Sequence, residues 1–211
     1  MRLDLTLYLV TDSGGRSEKE FLGVINQACE GGVTVVQLRE KEMSGREYFS
    51  LAVKVKSVTD RFGIPLIIDD RMDVAMASGA AGVHLGQSDL PIAEARAVMG
   101  PGKIIGATAK TVEQGKAAEA SGADYLGVGA IFPTTTKVVT VLTPVSTLVG
   151  IVKSVNIPIV AIGGLNSGNL DVLYGSGAGG IAVVTAIMNS DNPKKTAEEL
   201  CELVRKMGLG I

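Results

Sequence analysis

Short apolar runs alternate with longer amphipathic stretches along the whole chain. The apolar runs are rich in β-branched residues and have the length of buried strands, while the amphipathic stretches carry helix signals. The predicted strands are 5–11, 33–39, 65–69, 82–85, 103–107, 125–130, 158–162 and 180–184. The predicted helices are 17–30, 44–62, 91–99, 112–121, 145–155 and 193–207. Such regular alternation predicts βα units that build a parallel sheet.

Turns made of small residues recur before every second predicted strand. They occupy residues 30–33, 78–83, 121–125 and 176–181, and each ends a helix before an apolar strand. A barrel built from paired βα units would leave this rhythm, whereas an open doubly wound sheet gives no reason for it. The length suits one domain, and no linker or low-complexity tract divides the chain. We therefore predict a single-domain (β/α)8 TIM barrel over residues 1–211.

The composition narrows the classes of partner. Hydrophobic residues make up 46% of the chain and aromatic residues 4%, which fits a barrel core of Val, Ile, Leu and Ala. The net charge is −2, with Lys and Arg scattered among acids, so we expect no nucleic-acid partner. No apolar run approaches the ~18 residues of a membrane helix, and the N-terminus lacks a secretory signal. We expect no membrane partner and a cytoplasmic location.

The two cysteines, Cys29 and Cys201, lie on the first and last predicted helices. A closed barrel would bring these helices side by side, so a disulfide is geometrically conceivable. In a reducing compartment, buried thiols that act as small hydrophobes are the favoured interpretation. Their spacing does not indicate metal binding.

Polar or glycine-rich clusters follow the predicted strands, and in a barrel of parallel strands they fall at the end that carries the active site. Arg39 and Lys41 follow the second strand and Lys137 the sixth; such cations bind phosphate oxygens, although solvated surface charges remain an alternative for Arg39 and Lys41. Gly163-Gly164 and Val184-Thr185 follow strands seven and eight, where many barrels hold phosphate with backbone N–H groups. These clusters predict a phosphate-handling enzyme.

Two aspartates and one histidine limit the chemistry further. Asp70 and Asp89 end neighbouring strands, so their carboxylates could converge on Mg²⁺; the alternative is that each caps a helix. His84 is the sole histidine, which excludes a two-histidine metal site. For His84 itself, an interior hydrogen-bonded role and a substrate contact both stay open.

Four motifs carry a resemblance to a known family. They are Gln37-Leu38-Arg39-Glu40-Lys41, Gly82-Val83-His84-Leu85-Gly86-Gln87-Ser88-Asp89, Thr134-Thr135-Thr136-Lys137 and Ala161-Ile162-Gly163-Gly164. In this order and spacing they closely resemble the thiamine-phosphate synthase family, from about residue 7 to residue 187.

The resemblance implies a TIM-barrel transferase, a thiamine-phosphate diphosphorylase. It would join 4-amino-2-methyl-5-hydroxymethylpyrimidine diphosphate to a thiazole or carboxythiazole phosphate and release diphosphate with Mg²⁺ present. The implied pyrimidine-diphosphate site comprises Gln37, Leu38, Arg39, Glu40, Lys41, Asp69, Thr108 and Lys137. The implied thiazole-phosphate site comprises Thr134, Thr135, Thr136, Gly164, Val184 and Thr185. Asp70 and Asp89 then resemble the magnesium ligands, and Arg39, Lys41, Lys137 and Thr108 the catalytic residues.

This chain departs from the family pattern at three places. The family usually has Asn at Asp69 and Ser at Thr108, and it usually continues after Lys137 with Pro and polar residues, where this chain has Val138-Val139-Thr140. An additional carboxylate at position 69 would repel diphosphate unless a metal or a raised pKa offsets its charge.

We hypothesise a dissociative substitution in which Arg39, Lys41, Lys137 and the metal stabilise the leaving diphosphate. The main alternative is a thiazole tautomerase or a regulatory, non-synthase barrel of the same superfamily. Such relatives typically lack the metal carboxylates and place a histidine after strand five, unlike Thr108-Ala109-Lys110 here. An unrelated phosphate-binding barrel isomerase is a more distant alternative. A homodimer is one assembly compatible with this interpretation.

Overall fold

The protein is a closed barrel of eight parallel strands, seen in a computed structural model that describes residues 3–134 and 141–210. The strands pair in sequence order, and β1 closes the barrel by pairing with β8. Their bounds are β1 Leu7–Val10, β2 Val35–Leu38, β3 Leu66–Asp69, β4 Gly82–Leu85, β5 Ile104–Ala109, β6 Tyr125–Gly129, β7 Ile159–Ile162 and β8 Gly180–Val183. The predicted (β/α)8 TIM barrel is confirmed.

Helices surround the barrel. Their bounds are α1 Glu18–Glu30, α2 Gly45–Asp60, α3 Met72–Ser78, α4 Ile92–Met99, α5 Val112–Ala120, α6 Val145–Val152, α7 Thr185–Met188 and α8 Pro193–Lys206. A short 3-10 helix, Leu170–Leu173, takes the place of a longer helix between β7 and β8. Among the residues described, no helix combines the length and apolarity needed to cross a bilayer.

Local sequence explains where the longest helices begin. Ser17 and Ser44 each accept a hydrogen bond from the backbone N–H three residues later, and Glu20 and Glu47 complete the two capping boxes. Asn192 caps α8 ahead of a proline in its first turn. The sequence did not predict α3, α7 or the 3-10 helix, because four to seven residues carry too little periodicity.

The difference from the predicted strand bounds that concerns the site is at the end of β5. The strand was expected to end at residue 107, but its ladder with β6 continues through Thr108 opposite Gly127 and Ala109 opposite Val128. Thr108 therefore lies within a strand, with a backbone held on both sides, rather than in the loop that follows it.

Two apolar layers stabilise the fold. The larger one fills the space between strands and helices, and it includes Cys29 and Cys201, which are both buried and free. The favoured interpretation of the cysteines as buried thiols is confirmed. The smaller layer lies inside the barrel and contains the rings of Tyr8 and Tyr125.

Glycine on β5 makes room for one of these rings. A Cβ placed on Gly106 would clash with the Tyr125 ring carbons and hydroxyl. The absence of a side chain there lets Tyr125 reach the barrel axis, where its ring centroid lies 5.8 Å from that of Tyr8 and 5.6 Å from that of His84. Tyr8 and His84 line the floor of the cavity, and Tyr125 is fully buried against them.

Candidate active site

A cavity of about 560 Å³ opens at the carboxyl ends of the strands. This is the end of the barrel at which barrel enzymes carry out their chemistry. The sequence-predicted residues that line the cavity are Gln37, Arg39, Lys41, Asp69, Asp70, Asp89, Thr108, Thr134, Gly164, Val184 and Thr185. The fold thus gathers residues from seven strands and their following loops around one space.

One side of the cavity, here called the charged wall, consists of Arg39, Lys41, Asp69, Asp70 and Asp89. The Lys41 ammonium lies 2.9 Å from the Asp69 carboxylate and is also ion-paired with Asp70. The Arg39 guanidinium lies 3.8 Å from Asp69. Two cations therefore face three carboxylates, so both cations belong to the cavity and are not isolated surface charges.

Neither aspartate proposed as a metal ligand caps a helix. The residues at the N-caps of α3 and α4 are Arg71 and Pro91, and neither makes a side-chain capping bond. Asp70 instead takes a left-handed backbone conformation with φ 58°, which aspartate tolerates better than most residues. The Asp89 carboxylate accepts the N–H of Gly86 at 2.6 Å. The capping alternative is therefore wrong for both residues.

Crowding of like charges is visible in the pKa values of the charged wall. The pKa of Asp69 is raised by burial and by Asp70, against the opposing effect of Lys41 and Arg39. The pKa of Asp89 is raised by burial and by Asp70, although the N–H of Gly86 opposes the shift. Burial would lower the pKa of Lys41, but hydrogen bonds and charge from Asp70 and Asp69 raise it. Lys41 is thus held fully charged among carboxylates.

The opposite side of the cavity, here called the uncharged wall, consists of Gly163, Gly164, Val184 and Thr185. Gly163 and Gly164 follow β7 with φ 107° and 64°, values that side-chain-bearing residues rarely adopt. A Cβ on Gly164 would approach Phe132 Cβ and the Pro133 carbonyl oxygen to 2.7 Å. The loop is therefore packed so tightly that its backbone forms the surface of the cavity.

Five polar side chains at the floor are hydrogen-bonded in series. Gln37, Tyr8, His84 and Thr108 line the cavity, and Tyr125 is fully buried. Gln37 Nε2 donates to the Tyr8 hydroxyl at 2.9 Å, and the Tyr8 and Tyr125 hydroxyls lie 2.7 Å apart. His84 Nδ1 lies 3.0 Å from the Tyr125 hydroxyl, and His84 Nε2 lies 3.0 Å from Thr108 Oγ1. The interior hydrogen-bonded role left open for His84 is confirmed, and its ring also lines the cavity.

Two predicted substrate-binding residues do not line this cavity. Leu38 is fully buried in the outer apolar layer, because alternation along β2 turns it away from the side of Gln37. Glu40 lines a second cavity instead, where its Oε2 accepts the Ser13 hydroxyl at 3.0 Å. Its Oε1 is buried without a hydrogen-bond partner among the described residues, and burial raises the pKa of Glu40.

Three predicted residues, Thr135, Thr136 and Lys137, lie outside the described part of the chain. Other residues that line the cavity were not among the predicted site residues. Among them are the polar residues Tyr8, His84, Gln87, Ser88 and Lys110. Gln87 donates to the Thr108 carbonyl oxygen at 2.6 Å, so it braces the loop after β4 against β5. The sequence could have identified Tyr8 and Tyr125 as candidate site residues, because each places a hydroxyl-bearing ring within an otherwise apolar strand.

The barrel and its cavity define a class first, namely a (β/α)8 barrel with a polar cavity at the carboxyl ends of its strands. Comparison with known proteins then gives the family. The family model described as thiamine monophosphate synthase matches residues 7–187. The chain belongs to this family, and the predicted family membership and transferase class are confirmed.

Individual relatives agree with the family model. The chain is 53% identical over 188 residues to thiamine-phosphate synthase 2 of Streptococcus pneumoniae, covering 89% of this chain and 90% of that protein. It is 50% identical over 207 residues to thiamine-phosphate synthase of Enterococcus faecalis, covering 98% of each.

Solved structures give the same result for the fold. The structure of thiamine phosphate pyrophosphorylase from Pyrococcus furiosus superposes with a TM-score of 0.88 at 38% identity, covering 96% of both chains. A 3-hexulose-6-phosphate synthase structure superposes with a TM-score of 0.72 at 17% identity, a likeness that concerns the fold alone.

Proposed function

We propose that this protein joins 4-amino-2-methyl-5-hydroxymethylpyrimidine diphosphate to a thiazole phosphate, with or without a carboxylate on the ring. The C–O bond between the pyrimidine methylene and diphosphate breaks, and a bond forms between that methylene and the thiazole ring nitrogen. The products are thiamine phosphate and diphosphate, and carbon dioxide is also released where the thiazole carries the carboxylate. The observation that carries this proposal is the pairing, across one 560 Å³ cavity, of the charged wall with the uncharged wall.

The charged wall suits the leaving diphosphate. Negative charge grows on the departing oxygen as the C–O bond breaks, and fixed cations nearby stabilise that charge without reorganisation. Arg39 offers a planar fork to two oxygens, while Lys41 offers a compact point charge. Lys137 is expected from the sequence to add a third cation.

The same wall fits a divalent cation. Two cations against three carboxylates leave this wall with excess negative charge, which repels diphosphate unless a further cation is bound. Asp70 and Asp89 would hold Mg²⁺, which prefers one or two carboxylates and completes its shell with water and phosphate oxygens. Within residues 3–134 and 141–210, no group of three or more His, Cys, Asp or Glu side chains could hold a metal ion. When bound, Mg²⁺ would neutralise charge on the diphosphate oxygens.

The uncharged wall suits the phosphate of the second substrate. The Gly163-Gly164 turn allows a phosphate group to approach the backbone, and Thr134 and Thr185 add hydroxyl donors at the cavity. Thr135 and Thr136 are expected from the sequence to join them. This phosphate does not leave during the reaction, so it needs anchoring rather than transition-state stabilisation.

The floor needs no general base. The attacking ring nitrogen carries no proton, so a histidine that abstracts one is not required. Both ring nitrogens of His84 are engaged with Tyr125 and Thr108, which fits a positioning role better than proton transfer to bulk water.

The direct test is to incubate the protein with both precursors, the diphosphate labelled in its phosphorus atoms, and with magnesium. We expect labelled diphosphate and thiamine phosphate in equal amounts, and no product when either precursor is left out. Failure to form product with both precursors and magnesium would contradict the proposal. Rearrangement of the thiazole alone would support a tautomerase, and binding without turnover would support a regulatory barrel.

A further inference from the structure

The floor of the cavity contains an unbroken series of hydrogen bonds whose two ends both face the cavity. One end is the Gln37 amide on β2, and the other is the Thr108 hydroxyl on β5. Between them lie Tyr8, Tyr125 and His84, so strands on different sides of the barrel are joined through its axis.

The direction of the first bonds follows from the chemistry of the donors. An amide NH₂ group only donates, so Gln37 Nε2 donates to the Tyr8 oxygen. Burial raises the pKa of Tyr8 and of Tyr125 well above that of an exposed phenol, so both keep their hydroxyl protons. Among the contacts of the described residues, the Tyr8 proton has the Tyr125 oxygen as its acceptor. The reverse orientation would leave a buried hydroxyl proton without an acceptor, which costs free energy.

The remaining bonds follow in turn. Because Tyr125 accepts from Tyr8, its own proton is directed to His84 Nδ1. A neutral imidazole that accepts at Nδ1 carries its proton on Nε2, and this N–H donates to Thr108 Oγ1. The Thr108 oxygen is thereby occupied as an acceptor, and its own proton points to a partner in the cavity.

We propose that these five side chains form a one-way hydrogen-bond relay that holds the Thr108 hydroxyl as a donor toward an anionic oxygen in the cavity and the Gln37 carbonyl oxygen as an acceptor. Tyr8, Tyr125 and His84 are positioning residues, and Thr108 is the group that meets the ligand. Resting on the proposed function, the relay makes recognition of the amino-bearing pyrimidine at Gln37 and of the diphosphate at Thr108 depend on each other.

The tautomer of His84 reports the direction of the relay. Because His84 is the sole histidine in the chain, imidazole ¹⁵N labelling gives a single pair of resonances, and the protonated and unprotonated nitrogens of neutral imidazole are readily distinguished by NMR. We expect the proton on Nε2 and the lone pair on Nδ1 in the full-length protein. A proton on Nδ1 alone, or on both nitrogens, at neutral pH would overturn the relay as proposed.

A reversal experiment tests whether the direction is set at Gln37. In Gln37→Glu the side chain can only accept, so Tyr8 donates to it, Tyr125 donates to Tyr8, and His84 must donate from Nδ1. The His84 proton should therefore move from Nε2 to Nδ1. Gln87→Glu is the matched control, since it adds the same charge at the same cavity but touches only the Thr108 carbonyl. If Gln37→Glu leaves the tautomer unchanged, or Gln87→Glu changes it equally, the coupling does not exist.

A binding experiment tests the consequence for the ligand. With inorganic diphosphate and magnesium as the probe, Tyr125→Phe should weaken diphosphate binding about tenfold, because the hydroxyl of Thr108 loses its fixed direction toward a charged acceptor. Tyr174→Phe is the control; Tyr174 is 77% exposed after the 3-10 helix and does not line the cavity, so binding should be unchanged. Equal affinity in wild type and Tyr125→Phe would contradict the inference.

A second variant, which interrupts the series of hydrogen bonds at Tyr8, keeps the inference testable if Tyr125→Phe does not fold. Tyr8→Phe removes the hydrogen bond from Gln37 to Tyr8, although Gln37 also interacts with Tyr125 directly. In the double variant Tyr8→Phe/Gln37→Glu, the His84 proton should therefore move to Nδ1 in a smaller fraction of molecules than in Gln37→Glu alone. An equally complete shift in the double variant would contradict the relay. These readouts need no turnover, so a wrong tautomer defeats the relay alone, while a correct tautomer without condensation defeats the proposed function alone.

Discussion

The two walls of the cavity differ in which groups they present, and under the proposed function they would bind phosphate in different ways. The charged wall uses side chains whose charges lie against one another, with Lys41 between Asp69 and Asp70. The uncharged wall uses the backbone of a glycine turn after β7 and the hydroxyl of Thr185 after β8. The difference matches what each phosphate would do, since fixed charge helps most where charge develops during the reaction, and a retained phosphate needs only a fit.

The largest expected effect comes from removing the cation of the charged wall. Lys41→Ala should lower kcat by about 10²- to 10³-fold, because it removes charge that stabilises the leaving group and leaves two carboxylates facing the diphosphate. Single-turnover kinetics with saturating magnesium and both precursors would measure the chemical step. A rise in KM with unchanged kcat would show that Lys41 contributes only ground-state binding.

The uncharged wall should respond in the opposite manner. Thr185→Val keeps the shape of the side chain and removes its hydroxyl, so we expect KM for the thiazole phosphate to rise about tenfold with little change in kcat. Steady-state kinetics with the pyrimidine diphosphate held at saturation would measure this. A fall in kcat comparable to that of Lys41→Ala would remove the distinction between the walls.

Asp69 sharpens the comparison within the charged wall. Asp69→Asn removes one of three crowded carboxylates while keeping the shape of a buried side chain. We expect KM for the pyrimidine diphosphate to fall about threefold and the magnesium dependence to change, as repulsion in the wall is relieved. Titration of activity against magnesium for both proteins is the measurement, and identical curves would show the additional carboxylate to be harmless.

The smallest effect is expected at Glu40, which belongs to neither wall. Its folded-state pKa is raised by burial, so ionisation of Glu40 disfavours the folded state. This contribution to stability is fully present below the unfolded-state pKa and is lost as the pH rises through the raised folded-state pKa. Glu40→Gln should therefore increase the free energy of unfolding at neutral pH by at most about 1 kcal/mol and flatten its acid-side pH dependence. Urea unfolding across that pH range would test it, and a lower stability at neutral pH would contradict it.

The sequence was sufficient for the barrel because the relevant signals are local. A short run of β-branched residues predicts each strand. The βα repeat then restricts the sheet to a few possible topologies. The strand-end clusters located most of both walls for the same reason, since the carboxyl ends of parallel strands share one rim. Arg39, Asp70, Asp89 and Gly164 all line the cavity as this reasoning requires.

The sequence did not predict contacts between residues that are far apart along the chain, nor the directions of side chains in loops. Tyr8 and Tyr125 lie 117 positions apart, and their hydroxyl contact exists only after the barrel has closed. The direction of the Glu40 side chain depends on the loop after β2, which has no periodicity to read. Leu38 is different, because strand alternation with Gln37 inward already implied that Leu38 faces the helices.

Gly106 has a consequence for how this enzyme can change over evolutionary time. The volume that a side chain at this position would fill is already taken by the Tyr125 ring. Any enlargement at 106 would have to be accompanied by a smaller residue at 125, so the two sites are constrained to vary as a pair. The depth of the cavity inside the barrel is thus set by residues 106 and 125 together and not by either one alone.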